Sequence, residues 1–166
     1  MHIRKTLAVA AALLVASAAW AHGDQHAAQP ADELAKEQTP WGIAGDARDA
    51  RTIEIRMGDD MRFRPARVEV REGETIRFVV RNGGKILHEM VIGTAQELKE
   101  HARMMKKFPK MEHDEPFMAH VKPGAKGDLV WNFNRPGTFQ FACLIPGHFE
   151  AGMKGTIVVQ PKGKRQ

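Results

Sequence analysis

Three side chains with metal-binding chemistry stand at equal intervals near the end of the chain. Cys143, His148 and Met153 follow one another five residues apart in "FACLIPGHFEAGM", and Cys143 is the only cysteine among 166 residues. A thiolate is a soft donor, an imidazole a borderline one and a thioether a soft, weak one, so together they suit a transition metal rather than a hard cation. Each residue alone also has a plainer reading. A free cysteine is often a small buried hydrophobe, a loop histidine is often a polar surface group, and a methionine is often core. Cys143 and His148 could also act as nucleophile and base, but no oxyanion donors or third orienting group stand out beside them. HExxH, Walker and dinucleotide motifs do not occur.

Those residues need strands to hold them. "RTIEIRM", "ARVEVRE" and "ETIRFVVRN" alternate polar and apolar residues or are rich in β-branched ones, and Gly73 marks a turn between the last two. "HEMVIG", "GDLVWNFN", "GTFQFAC" and "KGTIVVQP" continue the series, with "RPG" as a turn between "GDLVWNFN" and "GTFQFAC". Seven short strands separated by turn signals predict an all-β sandwich. One segment breaks the pattern. "TAQELKEHARMMKKF", residues 94 to 108, reads as a helix with a Thr94/Glu97 capping box and one apolar face through Leu98, Ala102 and Met105. Pro109 helps to end it, and the irregular, Met- and His-rich "KMEHDEPFMAHVKPG" follows. The expected organisation is a β domain over 51–161 with a helix/Met-His-rich insertion at 94–122.

The start of the chain bears on compartment. Arg4 and Lys5, a short Ala-rich apolar run and "AWA" ending at Ala21 have the form of a cleaved export signal over 1–21. The run is below membrane-spanning length. Cleavage would leave 145 residues (166 − 21) beginning at His22, and no membrane span. Formal charge would fall from +5 to +3, with 23 basic against 20 acidic residues and the signs interspersed, which predicts no nucleic-acid stripe. Residues 22–50 are polar and Ala-rich and read as a flexible arm containing His22 and His26, pinned at Trp41. Export to an oxidising compartment, expected to be the periplasm, makes an unpartnered cysteine unusual.

A metal resolves that oddity. His88 opens the strand "HEMVIG", 55 residues before Cys143, so it would arrive from another part of the sheet. Two imidazoles, a thiolate and a long axial thioether are the donor set of type 1 copper. Zinc is the rival, but it rarely takes a thioether, so Met153 weighs against it. A bound copper would also keep Cys143 ionised and occupied.

Taken together, "FRPARVEVREGETIRFVVRN", His88 and "GTFQFACLIPGHFEAGMKGTIVV" resemble the cupredoxins, the plastocyanin and azurin superfamily of type 1 copper proteins. The resemblance spans roughly 51–160, and C-x₄-H-x₄-M is a spacing of rusticyanin-like and auracyanin-like members. It implies a Greek-key β-sandwich with one copper near one end. His88, Cys143 and His148 would be the equatorial ligands and Met153 the axial one. One position departs from the pattern: where many members carry Asn or Ser after the first ligand histidine, this chain has Glu89.

The insertion carries more donors, His101, Met104, Met105, Met111, His113, Met118 and His120. Met105 reads as helix core. Met111, His113, Met118 and His120 are candidates for a second copper site, since thioethers select Cu(I) and imidazoles accept either oxidation state. Met118 and His120 would share one side of an extended chain. A free amino terminus at His22, with His26, is a candidate third site. This arrangement resembles exported cupredoxins implicated in bacterial copper tolerance. The reading is a periplasmic, monomeric, redox-active copper protein of copper homeostasis, and not an enzyme. An oxidase would need a further copper cluster to reduce oxygen. The alternative is a soluble electron carrier docking to a redox partner through Ile145, Pro146 and Phe149.

Overall fold

A computed structural model of the chain describes residues 37–109, 111 and 113–163. The described residues form strands β1 (Ile43–Ala44), β2 (Arg51–Gly58), β3 (Arg62–Arg64), β4 (Arg67–Arg71), β5 (Glu74–Asn82) and β6 (His88–Gly93). Helix α1 (Ala95–Lys107) follows, then β7 (Met118–Val121), β8 (Lys126–Phe133), β9 (Gly137–Ala142) and β10 (Lys154–Gln160). The strands make two five-stranded sheets, ordered β1-β8-β5-β2-β3 and β4-β10-β9-β6-β7. Most neighbours are antiparallel, but β2 pairs with β5 and β4 with β10 in parallel, each bringing together strands distant in the chain.

Alternation explains the packing. In β4 the residues Val68 and Val70 are buried between three exposed arginine and glutamate side chains, and β10 alternates in the same way. The inward residues of both sheets, among them Ile55, Phe78, Met90, Trp131, Phe141 and Ile157, form one core. Phe63 of β3 meets Phe141 of β9 edge to face at 4.9 Å, which ties one sheet to the other beneath the chain's lone cysteine.

β6 differs, since all six of its residues are buried. The inner face meets the main core and the outer face is covered by α1. Leu98, Ala102 and Met105 of α1 pack with Val91, Met118, Ala142 and Leu144 in a second core. The Thr94 hydroxyl accepts the Glu97 N–H, and the Glu97 carboxylate accepts the Thr94 N–H, completing the capping box. Thr94→Ala leaves the Glu97 N–H without its acceptor and is expected to cost about 1 kcal/mol in urea unfolding.

Three strands go beyond the sequence reading. β1 and β3 are two and three residues long, too short for a period to register. β7 lies in the stretch expected to be irregular. It pairs antiparallel with β6, setting His88 opposite Val121 and Glu89 opposite His120. Trp41 is buried in the main core, and its carbonyl accepts the Trp131 indole N–H at 3.3 Å.

Candidate metal centre

At one end of the sandwich the His88, Cys143 and His148 donor atoms all lie within 4.8 Å of one another. No other three or more His, Cys, Asp and Glu residues among the described ones converge so closely. His88 is the first residue of β6, Cys143 directly follows β9, and Met153 directly precedes β10. Because β9 and β10 are antiparallel neighbours, the loop between them must return to where it began. The Cys143 N–H donates to the Met153 carbonyl at 3.1 Å, and the Met153 N–H donates to the His148 carbonyl at 3.1 Å. These backbone bonds hold all three residues at the mouth of one hairpin.

Two glycines make that hairpin possible. Gly147 and Gly152 have φ of +92° and +91° and immediately precede His148 and Met153. Side chains other than glycine rarely adopt this conformation. Each reversal delivers the next side chain back toward Cys143. The Arg62 guanidinium donates to the Ala151 carbonyl at 2.8 Å, pinning the loop to β3.

The Cys143 Sγ and His148 Nδ1 are 3.2 Å apart, and the His88 and His148 rings lie with centroids 5.0 Å apart. Cys143, His88 and Met153 are fully buried, whereas His148 keeps 9% of its surface exposed. Burial pushes the Cys143 thiol up to about 12. Burial, followed by the nearby His88, lowers the His148 pKa and favours the neutral ring that can bind a metal. Without a metal, then, Cys143 stays a protonated thiol at neutral pH. Iodoacetamide is expected to leave it unmodified in the folded metal-free protein and to alkylate it once urea unfolds the chain, as mass spectrometry would record.

His88 is oriented by residues that sequence reasoning missed. Its Nε2 lies 3.2 Å from Asp59 Oδ1. An ionised carboxylate only accepts, so Nε2 carries the proton and Nδ1 presents its lone pair. That Nδ1 is buried without a protein hydrogen-bond partner among the described residues. Asp59 also accepts the Lys85 N–H at 2.7 Å, which, ahead of the His88 contact, holds its carboxyl below the usual range. Buried Asn82 donates to the Ile86 and Val121 carbonyls and accepts the Gly84 N–H, stapling the loop before His88. Asp59 stands 29 positions before His88, and no periodicity links the two.

Glu89, the departure noted in the sequence, is 2% exposed. Its Oε1 accepts the Leu144 N–H at 2.8 Å, so it fixes the backbone directly after Cys143. A buried ring nitrogen without a partner, a desolvated thiol and a rigid loop together fit a soft metal ion.

The remaining candidate donors are scattered differently. Met118 is buried in the core beneath α1, as is Met105, while Met104 and Met111 are exposed. His113 lies beside the rings of His101 and His120, and His120 pairs with Glu89. His22, His26 and residues 1–21, the stretch expected to be an export signal, lie outside the described residues. No helix among the described residues is long and apolar enough to cross a membrane.

Known proteins resemble this chain in sequence and in fold. Residues 50–160 match the family model of copper binding proteins of the plastocyanin/azurin family. The copper-resistant cuproprotein CopI of Rubrivivax gelatinosus is 48% identical over 95% of this chain and 97% of its own length. The CopI of Pseudomonas aeruginosa is 36% identical over 69% of this chain and 79% of its own. Among solved structures, the dithionite-reduced auracyanin of Roseiflexus castenholzii superposes with a TM-score of 0.58 at 25% identity, covering 68% of this chain and 99% of that one. A β-sandwich that gathers Cys143 and two histidines at one end, and a family model matched across the whole sandwich, lead to one conclusion: the chain belongs to the copper-binding plastocyanin/azurin family, the cupredoxins.

Proposed function

We propose that the protein is an exported, redox-active copper protein of bacterial copper tolerance. His88 Nδ1, Cys143 Sγ and His148 Nδ1 would be its equatorial ligands and the Met153 thioether its axial one. The observation that carries the ligand assignment is the convergence of one donor atom from each of His88, Cys143 and His148 within 4.8 Å, with His88 Nδ1 buried and without a protein hydrogen-bond partner among the described residues. The role in copper tolerance is supported by the likeness to CopI proteins along nearly the whole chain. Export to the periplasm rests on the form of residues 1–21.

Bound copper supplies a one-electron Cu(I)/Cu(II) couple. The chain holds the donors still around it. Asp59 keeps the His88 ring in register, Glu89 fixes the residue after Cys143, and the hairpin bonds fix His148 and Met153. A scaffold that barely moves lowers the cost of electron transfer, and the slightly exposed His148 edge is the exit to solvent or to a partner. We read the protein as a copper binder rather than an enzyme, working as a monomer.

A second reading, a soluble electron carrier, is favoured by a specific feature. Ile86 and Leu87, directly before His88, are each 42% exposed, and Pro146 is exposed before His148. They would offer an apolar docking face to a one-electron redox protein. Phe149 contributes less, being partly buried and covered by the Lys154 ammonium at 4.4 Å.

Titrating Cu(II) into the signal-free protein should produce an intense visible band that bleaches with ascorbate and returns on reoxidation. Deleting the chromosomal copy should lower growth in added copper. Absence of the band would overturn the copper centre, and unaltered growth with a normal band would favour the carrier. Asp59→Ala should leave the band in place but weaken copper binding by roughly 10–100-fold, the usual cost of losing a group that orients a ligating histidine. Competition with a copper chelator reads that change.

A further inference from the structure

On the outer side of the second sheet, beside α1's buried stripe, three histidines gather around the far side of Glu89. His101 belongs to α1, His113 to the loop after it and His120 to β7. The His101 and His113 rings have centroids 4.7 Å apart, and His113 and His120 6.3 Å. His101 Nε2 and both ring nitrogens of His113 are buried without a protein hydrogen-bond partner among the described residues. Buried polar atoms are nearly always paired, and leaving one unpaired costs about 1–3 kcal/mol. Three such nitrogens on two adjoining rings therefore call for a ligand. Nitrogen lone pairs call for something electron-poor.

We propose that His101, His113 and His120, with Glu89, form a second metal site for a divalent ion of the Cu(II) or Zn(II) kind, joined to the Cys143 centre through the Glu89 carboxylate. Imidazole nitrogens and a carboxylate oxygen are the borderline donors those ions take. No methionine thioether is needed. Met118 points the same way as His120 from β7 but is consumed by the core under α1. His101 takes its place, presented by the helix one turn from Leu98 and from Met105.

The link lies in one side chain. Glu89 and His120 are direct cross-strand partners, and Glu89 Oε2 lies 2.8 Å from His120 Nε2. Glu89 Oε1 accepts the N–H of Leu144, next to Cys143. An ion drawing on His120 or on Glu89 therefore pulls on the carboxylate that fixes the Cys143 loop. The donors of this second group are spread more widely than those of the first. The second site itself does not require the first to hold copper. Only the coupling rests on that reading.

The test uses the whole signal-free chain, loaded with one equivalent of Cu(II) and then titrated with Zn(II) by calorimetry while the visible band is followed. His101→Ala and His113→Ala are compared with the native chain, with circular dichroism to verify folding. The native chain should bind one more Zn(II) than either variant, or bind it at least about tenfold more tightly, and its visible band should shift as that ion binds. Both variants should keep the band and lose the shift. Equal Zn(II) binding in native chain and variants would overturn the site, while an intact band would leave the Cys143 centre standing. Loss of Zn(II) binding in the variants without any band shift in the native chain would overturn the coupling alone. If no visible band forms in any of them, the Cys143 reading fails, and the Zn(II) difference still decides the second site. Repeating the titration with Cu(II), and recording its paramagnetic resonance, distinguishes the two ions.

Discussion

Cys143→Ser should abolish the visible charge-transfer band of the copper-loaded protein. The substitution changes one atom and keeps the shape of a fully buried side chain, so the hairpin around it should survive. What disappears is the soft donor 3.2 Å from His148 Nδ1. A serine hydroxyl is a hard, weakly acidic donor and gives copper no thiolate from which to draw charge. Copper affinity should fall by more than the roughly 10–100-fold expected for the loss of an orienting partner, because a ligand itself is lost. The measurement is the visible spectrum and a chelator competition on native and variant protein. A retained intense band would show that Cys143 is not a ligand.

Phe141→Ala should be the most destabilising change away from the metal donors. Phe141 is fully buried, two residues before Cys143, and its ring meets Phe63 of the opposite sheet. It also fills the space over Gly155, where an added Cβ would come within 2.1 Å of the ring. Truncation removes a large apolar group and leaves a cavity between the sheets that cannot fully collapse. About 3–5 kcal/mol of stability should be lost, as shown by the midpoint of urea unfolding of the metal-free protein. A loss below ~1 kcal/mol would mean that the two sheets close over the gap. Because β9 leads directly into Cys143, the same variant should also take up copper less tightly.

The two experiments separate what holds the donors from what they do. Losing Cys143 should spare the fold and remove the chemistry. Losing Phe141 should loosen the fold and degrade the chemistry only in consequence. The Thr94 cap acts at one remove, since it secures the helix that packs over β6 and against Ala142 and Leu144.

Much of this was legible in residue order. Alternation exposed strands such as β2, β4 and β10, because one face of each is buried and the other more open to solvent, while β6, buried on both faces, showed as a short apolar run. The capping box and the Leu98, Ala102, Met105 stripe placed α1 to within a residue, because helix ends and helix faces are set by neighbours three and four positions apart. Cys143, His148 and Met153 were visible as a group for the same reason: one local hairpin builds their geometry. His88 was reachable only as the histidine that opens a strand.

What the sequence by itself determined, then, is whatever local periodicity and short loops control: the sandwich class, the helix and the donor-bearing hairpin. Tertiary structure alone decided which distant groups meet. It put Asp59 behind the His88 ring, set Glu89 opposite His120 with its other oxygen on the Leu144 N–H, and brought His101 to His113. It also made a strand of Met118–Val121 by pairing that segment with β6, where the residues alone read as loop. These contacts come from sheet register and from a helix laid across a sheet, and neither leaves a repeating mark in the order of the residues.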